Sequence, residues 1–428
     1  MATIVTATTT KVQTIKTRKL KVIETAILGM GSVNRNLLRI IANKKERLAE
    51  EYGIVFKIIA VTDSTGIAIK GCNDSGFDIT ELVNHKESGG SVSGLSSFEI
   101  LRVSGGDNKE GVVSMLNHLD VDLLFEATTC CCNIDTIRRS TKSKPTTTNT
   151  NDDEKEEEEK DSDALRICRA ALTRGVSVVL ANKGPLIQAI DELLELSASP
   201  SSSEEAKVGQ ARRHQGRAGR LEYSATVCGG LPILNIGKRD MIVGNITKIQ
   251  GVFNATSNFI IDAMANGNDG SKGISFQDAI QIAKDVGAAE ADPSLDTGGW
   301  DTAFKLLIIV NTIILKGTNS IKLSDITVEG IDSITPEMIQ IEAERGNSIK
   351  LVATADIDTE DENNNKYSVR PISQPINSFL GSINGWEMGI EIHSDIYGIS
   401  YHKLYEKEPI PTAASMLRDA VHIFGSPQ

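Results

Sequence analysis

Apolar and polar positions divide the first half of the chain into alternating strands and helices. Residues 21–28 read as a strand, a turn with two glycines follows, and residues 35–51 carry a helical pattern. Further strands are predicted at residues 55–62, 121–127 and 176–181, with helical segments between them. Strands that alternate with helices form a parallel sheet covered by helices. The sequence therefore predicts an α/β domain.

The pattern changes after residue 240. Strands are predicted at residues 246–253, 349–355 and 389–393, and helices near residues 257–265, 275–286, 301–315 and 335–345. This pattern indicates a second, α+β domain, in which helices cover one face of a mixed sheet. Between the two patterns, a strand is predicted at residues 221–227.

Two low-complexity stretches interrupt the first pattern. Residues 141–163 are rich in Thr, Asn and acidic side chains, and residues 198–219 are rich in Ser, Gly and Arg. Neither stretch can bury enough apolar surface to order itself, so we expect both to be surface insertions.

Composition limits the classes of function. A chain of 428 residues exceeds what one hydrophobic core serves, so we expect two main lobes. The longest apolar run, residues 306–315, is too short to span a membrane. The net charge of -12 argues against a nucleic-acid surface, although residues 152–163 alone contribute nine acids against two lysines. We therefore expect neither nucleic acid nor membrane as a partner.

The six cysteines indicate a reducing compartment, because they are few and lack paired metal-ligand spacing. The triplet Cys130 to Cys132 is open to two interpretations: small buried residues, or a redox or metal site. The first twenty residues are rich in Thr and Lys and faintly resemble a transit segment, but we interpret them as a disordered tail. The expected location is cytoplasmic, with a plastid as the alternative.

A glycine-containing turn between the first strand and helix predicts a Rossmann-like dinucleotide site. Gly29 and Gly31 allow a tight turn and close approach of a pyrophosphate, whose charge the next helix N-terminus receives. The third glycine position of the motif is Asn34. Asp63 ends the second strand, where a carboxylate can accept hydrogen bonds from a ribose 2'-hydroxyl; this favours NAD over NADP, unless Lys70 or a loop residue compensates.

The segment from Glu290 to Lys305 carries four acids and one lysine. Asp301 and Lys305 are four residues apart, so they project from one helix face. The apolar run that follows draws this helix into the interior, where charges need partners or catalytic work. The alternative is an exposed pair worth about 0.2–0.5 kcal/mol.

Five segments, in the same order, together resemble the homoserine dehydrogenases. They are Gly29–Val33, Ala181–Pro185, Ser224–Ile233, Gly251–Asn258 and Glu290–Lys305. The resemblance implies an NAD(P)-dependent oxidoreductase that acts on a CH-OH group. It would interconvert L-homoserine and L-aspartate 4-semialdehyde reversibly, in threonine and methionine biosynthesis. We expect a monofunctional chain, without an aspartate kinase region or an appended regulatory domain.

The resemblance also implies roles for individual residues around the reacting carbon. Lys305 matches the lysine assigned to acid-base work, and Lys183 matches a second lysine between nicotinamide and substrate. Glu290, Asp296 and Asp301 match acids that hold homoserine, especially its ammonium group. Independently of the family, an ammonium beside the reacting oxygen stabilises the negative charge of aldehyde reduction and can supply the proton.

The cofactor site that the resemblance implies includes residues from several turns. Its members are Gly29, Met30, Gly31, Ser32, Val33, Asp63, Thr128 and Lys183. Thr256 falls on a threonine that lies near the substrate.

A monovalent cation such as sodium is also implied, on the backbone carbonyls of Val227, Gly229 and Leu231. The sequence departs from the family here, because Ser224 replaces an acid that helps to ligate the cation; Glu222 is a partial substitute. A second departure is the segment 405–410, which replaces a glycine-rich loop near the cofactor.

The resemblance predicts four parts of the chain. After the tail, residues 1–20, come an NAD(P)-binding domain over 21–225, a dimerisation and substrate-binding domain over 226–403, and a segment 404–428 that returns to the first domain. A homodimer is implied. Two alternatives stay open: a related dehydrogenase acting on another amino-acid semialdehyde or on aspartate, and a non-catalytic NAD(P)-sensing protein of the same fold.

Overall fold

The computed structural model describes residues 20–70, 75–95, 99–101, 108–129, 161–199, 218–266, 273–317 and 319–425. Outside these residues lie most of the predicted tail, most of both insertions, Cys72 and the triplet Cys130 to Cys132. The predictions for those segments therefore stay predictions.

The first lobe is built on a seven-stranded sheet in the order β4-β3-β2-β1-β5-β6-β7. Its strands are β1 Lys21–Leu28, β2 Ile54–Asp63, β3 Gly66–Ile69, β4 Glu99–Leu101, β5 Leu123–Glu126, β6 Ser177–Leu180 and β7 Leu221–Glu222. Strands β2, β1, β5, β6 and β7 are parallel, and β3 and β4 add an antiparallel edge. The chain passes from β2 on one side of β1 to β5 on the other, which opens a crevice at the carboxyl ends of β1 and β5.

Helices cover both lobes. Those up to residue 198 are α1 Ser32–Asn43, α2 Lys45–Tyr52, α3 Ile79–Glu87, α4 Asn108–His118, α5 Asp163–Thr173 and α6 Gly184–Ala198. Those that follow are α7 Ile233–Asn235, α8 Ala255–Asn266, α9 Phe276–Asp285, α10 Ser294–Thr297, α11 Trp300–Ile309, α12 Pro336–Glu344 and α13 Ile410–Phe424. None of these helices, all within the described residues, has the length and apolar character needed to cross a membrane.

The second lobe is built on a six-stranded mixed sheet. Its strands are β8 Ile246–Val252, β9 Ile326–Val328, β10 Asn347–Asp356, β11 Lys366–Pro375, β12 Glu387–Ser394 and β13 Gly398–Tyr405, in the order β13-β12-β8-β10-β11-β9. All neighbouring pairs are antiparallel except β11 and β9. The fold is therefore the predicted one, a Rossmann-like domain joined to an α+β domain.

Three element predictions were wrong in detail. The helix predicted over residues 35–51 is two helices, because the backbone leaves helical geometry at Lys44. The strand predicted over residues 221–227 ends at Glu222, since Asp419 accepts hydrogen bonds from the N–H and hydroxyl of Ser224 and the chain turns there. The helix predicted to residue 315 is α-helical to Ile309 and continues as a π-helical turn, Val310–Ile314.

The last helix, α13, packs against α1 of the first lobe. It buries Ala413, Met416, Ala420 and Phe424 in the same apolar cluster as Ile23 of β1. The first lobe is thus completed by residues that follow the whole second lobe in the sequence.

Candidate active site

Two lysines and one aspartate form the centre of the candidate site. Asp301, in the first turn of α11, contacts Lys305 one turn later, with 2.7 Å between its Oδ2 and Nζ. Lys183, between β6 and α6 of the first lobe, reaches the other carboxylate oxygen at 3.2 Å. The side chains of Lys183, Asp301 and Lys305 are 22%, 15% and 11% exposed. The lobes therefore meet at a largely buried carboxylate held between two ammonium groups.

The charges in this cluster shift one another's pKa values. Burial alone would raise the pKa of Asp301, but the ammonium groups of Lys183 and Lys305 outweigh it and hold that pKa well below its usual range. Burial likewise opposes charge on Lys305, yet the Asp301 carboxylate raises the pKa of Lys305 above its usual value. Lys305 is therefore an ammonium at neutral pH.

Lys305 is also oriented by the backbone. Its Nζ donates a 2.6 Å hydrogen bond to the carbonyl of Phe253, the first residue after β8. The buried thiol of Cys228 donates to the same carbonyl at 3.6 Å. With one carboxylate and one carbonyl as acceptors, an ammonium keeps its third N–H for a substrate oxygen.

Asn254 joins the two acids that were predicted to hold the substrate. Its Nδ2 donates to Asp296 at 2.6 Å and to Asp301 at 2.8 Å. Its Oδ1 accepts from the N–H of Ser257, which caps the start of α8. Burial, and then the nearby carboxylate of Asp301, raise the pKa of Asp296 to about 6.

The other two predicted substrate residues are Thr256 and Glu290. The hydroxyl of Thr256 donates to the carbonyl of Ala288 at 2.7 Å, which ties α8 to the segment before α10. Glu290, two residues beyond Ala288, is exposed. The geometry thus brings Asp296, Asp301 and the two lysines together, and leaves Glu290 at the rim.

The glycine turn fits a dinucleotide. Gly29 has a φ of 85°, and a Cβ there would lie 3.0 Å from the carbonyl oxygen of Ala127. A Cβ on Gly31, just before α1, would meet nothing within 4 Å, so open space faces the helix N-terminus. Asn34 replaces the third glycine without splaying the turn, because its Nδ2 donates to the carbonyls of Leu28 and Gly29 at 3.0 and 2.6 Å.

Asp63 has partners within the protein. One carboxylate oxygen accepts from the N–H of Thr65 at 2.8 Å, and the other accepts from Lys86 at 2.6 Å and from the N–H of Val92 at 3.0 Å. Burial opposes the charge, but these bonds, led by that of Lys86, lower the pKa of Asp63. Lys86 on α3 therefore pairs with the carboxylate on which the expected preference for NAD rests.

Thr128 lies at the carboxyl end of β5, beside Gly29. Its side chain would lie 3.2 Å from a Cβ on Gly29. Its N–H and hydroxyl both donate to the buried carboxyl group of Glu126. The predicted cofactor residues Gly29 and Thr128 therefore face the same crevice between β1 and β5.

The predicted cation loop does not fit a strong cation site. The carbonyl of Gly229 accepts from the hydroxyl of Ser415 at 3.0 Å, and that of Leu231 from the N–H of Ile233 at 2.8 Å. Glu222, the substitute for the missing acid, is directed to Arg220 and His422. In the described part of the chain, no cluster of three or more His, Cys, Asp or Glu could hold a metal ion. The cation ligands Val227, Gly229 and Leu231 therefore stay predictions.

The segment 405–410 binds that same loop. The carboxylate of Glu406 accepts from the N–H of Gly230 at 2.9 Å and from the hydroxyl of Thr412 at 2.7 Å. Gly229 has a φ of 53°, and a Cβ there would lie 2.4 Å from the Glu406 carboxylate. Glu406 thus fastens the end of β13 and the start of α13 to the turn beside the site.

Sequence reasoning missed Asn254, Lys86, Glu126 and Glu406. Asn254 could have been found from a helix-capping signal, because it is an asparagine that follows a predicted strand and precedes a predicted helix. Glu126 could have been found as well, because it is an acid at the end of the apolar run that precedes Ala127. Nothing in the local pattern marked Lys86 or Glu406, whose partners lie far away in the sequence.

Comparisons with known proteins identify relatives of the chain. Residues 232–421 match the family model described as homoserine dehydrogenase. The chain is 28% identical to a homoserine dehydrogenase of Methanocaldococcus jannaschii, over 94% of this chain and 98% of that protein. It is 27% identical to an NAD(+)-dependent homoserine dehydrogenase of Pseudomonas canavaninivorans, over 94% of this chain and 96% of that protein.

Solved structures share the fold. A homoserine dehydrogenase from Thermoplasma acidophilum superposes with a TM-score of 0.66 at 22% identity, covering 94% of this chain and 99% of that one. A hyperthermophilic archaeal homoserine dehydrogenase in complex with NADPH gives a TM-score of 0.66 at 22% identity, covering 94% and 97%. At this level of identity the match concerns the fold alone.

Proposed function

From the similarity of this chain to homoserine dehydrogenases, we propose that it interconverts L-homoserine and L-aspartate 4-semialdehyde with NAD or NADP. It is thus an oxidoreductase that acts on a CH-OH group, with an amino acid as its small-molecule substrate. Production of homoserine by this reaction would serve threonine and methionine biosynthesis.

The observation that carries the proposal is the contact of Lys183 and Lys305 with the two oxygens of Asp301, at 3.2 and 2.7 Å. Lys183 comes from the nucleotide-binding lobe and the other two residues from the second lobe. A substrate between the lobes would therefore meet two ammonium groups on the side that faces the dinucleotide crevice.

These groups suit reduction of an aldehyde. NAD(P)H supplies the hydride, and negative charge then develops on the carbonyl oxygen. Lys305 stabilises that charge and donates the proton, since its raised pKa keeps it protonated. Lys183 adds a second positive charge, and Asp301 holds both ammonium groups in place. In the reverse direction, neutral Lys305 accepts the hydroxyl proton of homoserine.

The acids beside this pair suit the other end of the substrate. Asp296 and Asp301, joined by Asn254, offer carboxylates to the ammonium group of an amino acid. Glu290 and Thr256 complete the proposed substrate residues. Binding of the ammonium would also draw the pKa of Asp296 down, because an opposite charge favours the ionised acid.

The test is reduction of NAD and of NADP by L-homoserine, measured by absorbance for the intact protein and for Lys305→Ala. We expect the variant to lose at least about a hundredfold in kcat, as loss of a positioned proton donor does. The control is Lys366→Ala, an exposed lysine at the start of β11 and outside the Asp301 cluster, which should leave kcat unchanged.

The outcomes separate the alternatives. Turnover of another amino-acid semialdehyde or of aspartate, but not of homoserine, would identify a related dehydrogenase. Cofactor binding without turnover of any of them would favour a nucleotide-sensing protein. Full activity of Lys305→Ala would contradict the role of this lysine.

The proposal includes a homodimer formed by the second lobe. Strand β13 lies at the edge of its sheet, with Ile399, Tyr401 and Tyr405 exposed by 49%, 52% and 61%. Exposed apolar and aromatic groups along an edge strand are typical of an interface. Light scattering should give twice the monomer mass for the intact protein, and Tyr401→Lys should shift it toward the monomer; a monomeric intact protein would contradict the dimer.

Domain boundaries and location belong to the same proposal. The dimerisation and substrate domain spans residues 226–403, between the nucleotide domain and the returning segment. Cys168 and Cys228 are free and buried, which suits a reducing compartment such as the cytoplasm.

A further inference from the structure

Glu126 is a buried acid that the proposed reaction does not use. It is the last residue of β5, and its exposed fraction is 0%. The backbone that follows it passes directly over Gly29, because a Cβ on Gly29 would lie 3.0 Å from the carbonyl oxygen of Ala127. The acid therefore lies beneath the turn that closes the dinucleotide crevice.

One of its oxygens accepts hydrogen bonds from residues that follow two different strands. Oε1 accepts from the N–H of Thr128 at 3.0 Å, from the hydroxyl of Thr128, and from Nδ2 of Asn182 at 3.4 Å. The same Nδ2 donates to the Thr128 hydroxyl at 3.1 Å, and Oδ1 of Asn182 accepts from the N–H of Gly184 at 2.9 Å. Glu126 thus links the end of β5 to the turn between β6 and α6, which carries Lys183.

The other oxygen, Oε2, is buried without a hydrogen-bond partner among the described residues. An ionised carboxylate with one oxygen left bare would be costly there, while a protonated acid leaves only a neutral group unpaired. Burial accordingly raises the pKa of Glu126 to about 7, although Thr128 and Asn182 favour the ionised form. The thiol of Cys168 on α5 also faces Glu126 and stays neutral, since burial raises its pKa far above the usual value.

We propose that Glu126 is a positioning residue of the cofactor pocket: its carboxyl group fixes Thr128 and Asn182, and through them the two strand ends that receive NAD(P). The proposal rests on the proposed function only for the identity of the cofactor. Glu126 itself touches neither cofactor nor substrate. It acts as a neutral acceptor, so its ionisation places a negative charge beneath an anionic ligand and weakens binding.

The test is a fluorescence titration with NADH, which needs no substrate, on the intact protein and three variants. Glu126→Gln keeps a neutral acceptor, Glu126→Leu removes it, and Phe125→Leu is the control, a change of similar burial on the same strand. Each protein is titrated at about pH 6 and at about pH 9, on either side of the pKa.

We expect Glu126→Leu to raise the Kd for NADH at least about tenfold, as loss of a buried hydrogen-bond partner does. Glu126→Gln should bind within about threefold of the intact protein at the lower pH, and Phe125→Leu likewise. The intact protein should bind more weakly at the higher pH, and Glu126→Gln should lose that weakening. Asp296 titrates in both proteins, so the difference between them reports on Glu126 alone.

Two results would overturn the proposal: NADH binding by Glu126→Leu as tight as in the intact protein, or a pH dependence that Glu126→Gln leaves unchanged. If Glu126→Leu does not fold, the pH dependence of NADH binding by Glu126→Gln still tests the proposal. Failure of homoserine turnover would leave this result standing, because the titration measures cofactor binding only.

Discussion

At the scale of single residues, the site depends on one carboxylate shared by two ammonium groups. Asp301 keeps both Lys183 and Lys305 within 3.2 Å of its oxygens. This pairing favours the charged forms of Asp301 and Lys305, so the pKa of Lys305 is raised rather than lowered. Lys305 is therefore ready to donate a proton. The reverse reaction requires Lys305 to lose its proton first, and the carboxylate of Asp301 opposes that loss.

Homoserine oxidation should therefore accelerate as the pH rises through the alkaline range, because only neutral Lys305 can accept the hydroxyl proton. Asp301→Asn removes the carboxylate that raises the pKa of Lys305, so the rising limb of kcat should move to lower pH, with a lower maximum. Rates of NAD(P)H formation across the pH range test this. An unchanged limb in the variant would show that Asp301 does not control Lys305.

Asp296 should destabilise the protein when no substrate is bound. Its pKa in the folded protein, about 6, lies above its unfolded value, so stability is lost as the pH rises from about 4 to about 6. Asp296→Asn should raise the free energy of unfolding by about 1 kcal/mol at neutral pH, after allowance for partial exposure, and by nothing at about pH 4. Urea unfolding at both pH values measures this.

The same variant should raise KM for homoserine, since it loses a charge opposite the substrate ammonium. A variant that is more stable and binds homoserine normally would remove Asp296 from the substrate site.

At the scale of elements, strand ends and helix starts assemble the site. The carboxyl ends of β1, β5 and β6 supply Gly29, Thr128 and Lys183. The start of α8, the short helix α10 and the first two turns of α11 supply the groups of the second lobe. Lys86 on α3 and Asp63 at the end of β2 form an ion pair at the edge of this crevice.

That ion pair should set the choice of cofactor. Lys86→Gln leaves the Asp63 carboxylate without its cation, so a 2'-phosphate would meet a bare negative charge. We expect the ratio of kcat/KM for NADP to that for NAD to fall about tenfold. Lys70→Gln is the matched control, because Lys70 lies over the ring of Phe77, away from Asp63. An unchanged ratio in Lys86→Gln would restore the simpler prediction from Asp63 alone.

Much of the arrangement of strands and helices could be predicted from the sequence. The parallel strands are continuous apolar runs, and the spacing of Asp301 and Lys305 fixes their contact on one helix face. The short strands β3, β4 and β9 were missed, because three or four residues carry too little periodicity. Strands β11 and β13 were missed as well. Their outward faces are polar or aromatic, so their sequence pattern resembles that of loops. Contacts such as Lys86 with Asp63 arise from packing, which no local pattern encodes.

At the scale of the whole molecule, α13 and the segment before it join the two lobes. Glu406 binds the turn at Gly230, and Asp419 binds Ser224 at 2.9 Å from its N–H and 2.6 Å from its hydroxyl. In the segment 405–410, the carboxylate of Glu406 has a structural role, because it accepts hydrogen bonds from Gly230 and Thr412. The sequence pattern could not show the bonds of Glu406 to Gly230 and of Asp419 to Ser224, because both join residues more than 170 positions apart.

Asp419→Ala should destabilise the protein by about 1–3 kcal/mol, because the N–H of Ser224 would be left buried and unpaired. Asp419→Asn, which keeps an acceptor, should cost less. Denaturant unfolding of both variants measures the difference. Equal midpoints for the alanine variant and the intact protein would show that this bond does not hold α13.

The place of α13 in the first lobe also bears on how the protein is made. A ribosome releases residues 21–222, which form the first sheet, long before residues 410–424. Until then the groove between α1 and the sheet lacks Met416 and Phe424, so the nascent lobe exposes apolar surface while nearly two hundred further residues are translated. Chaperones that shield such surfaces would therefore be most needed during this interval.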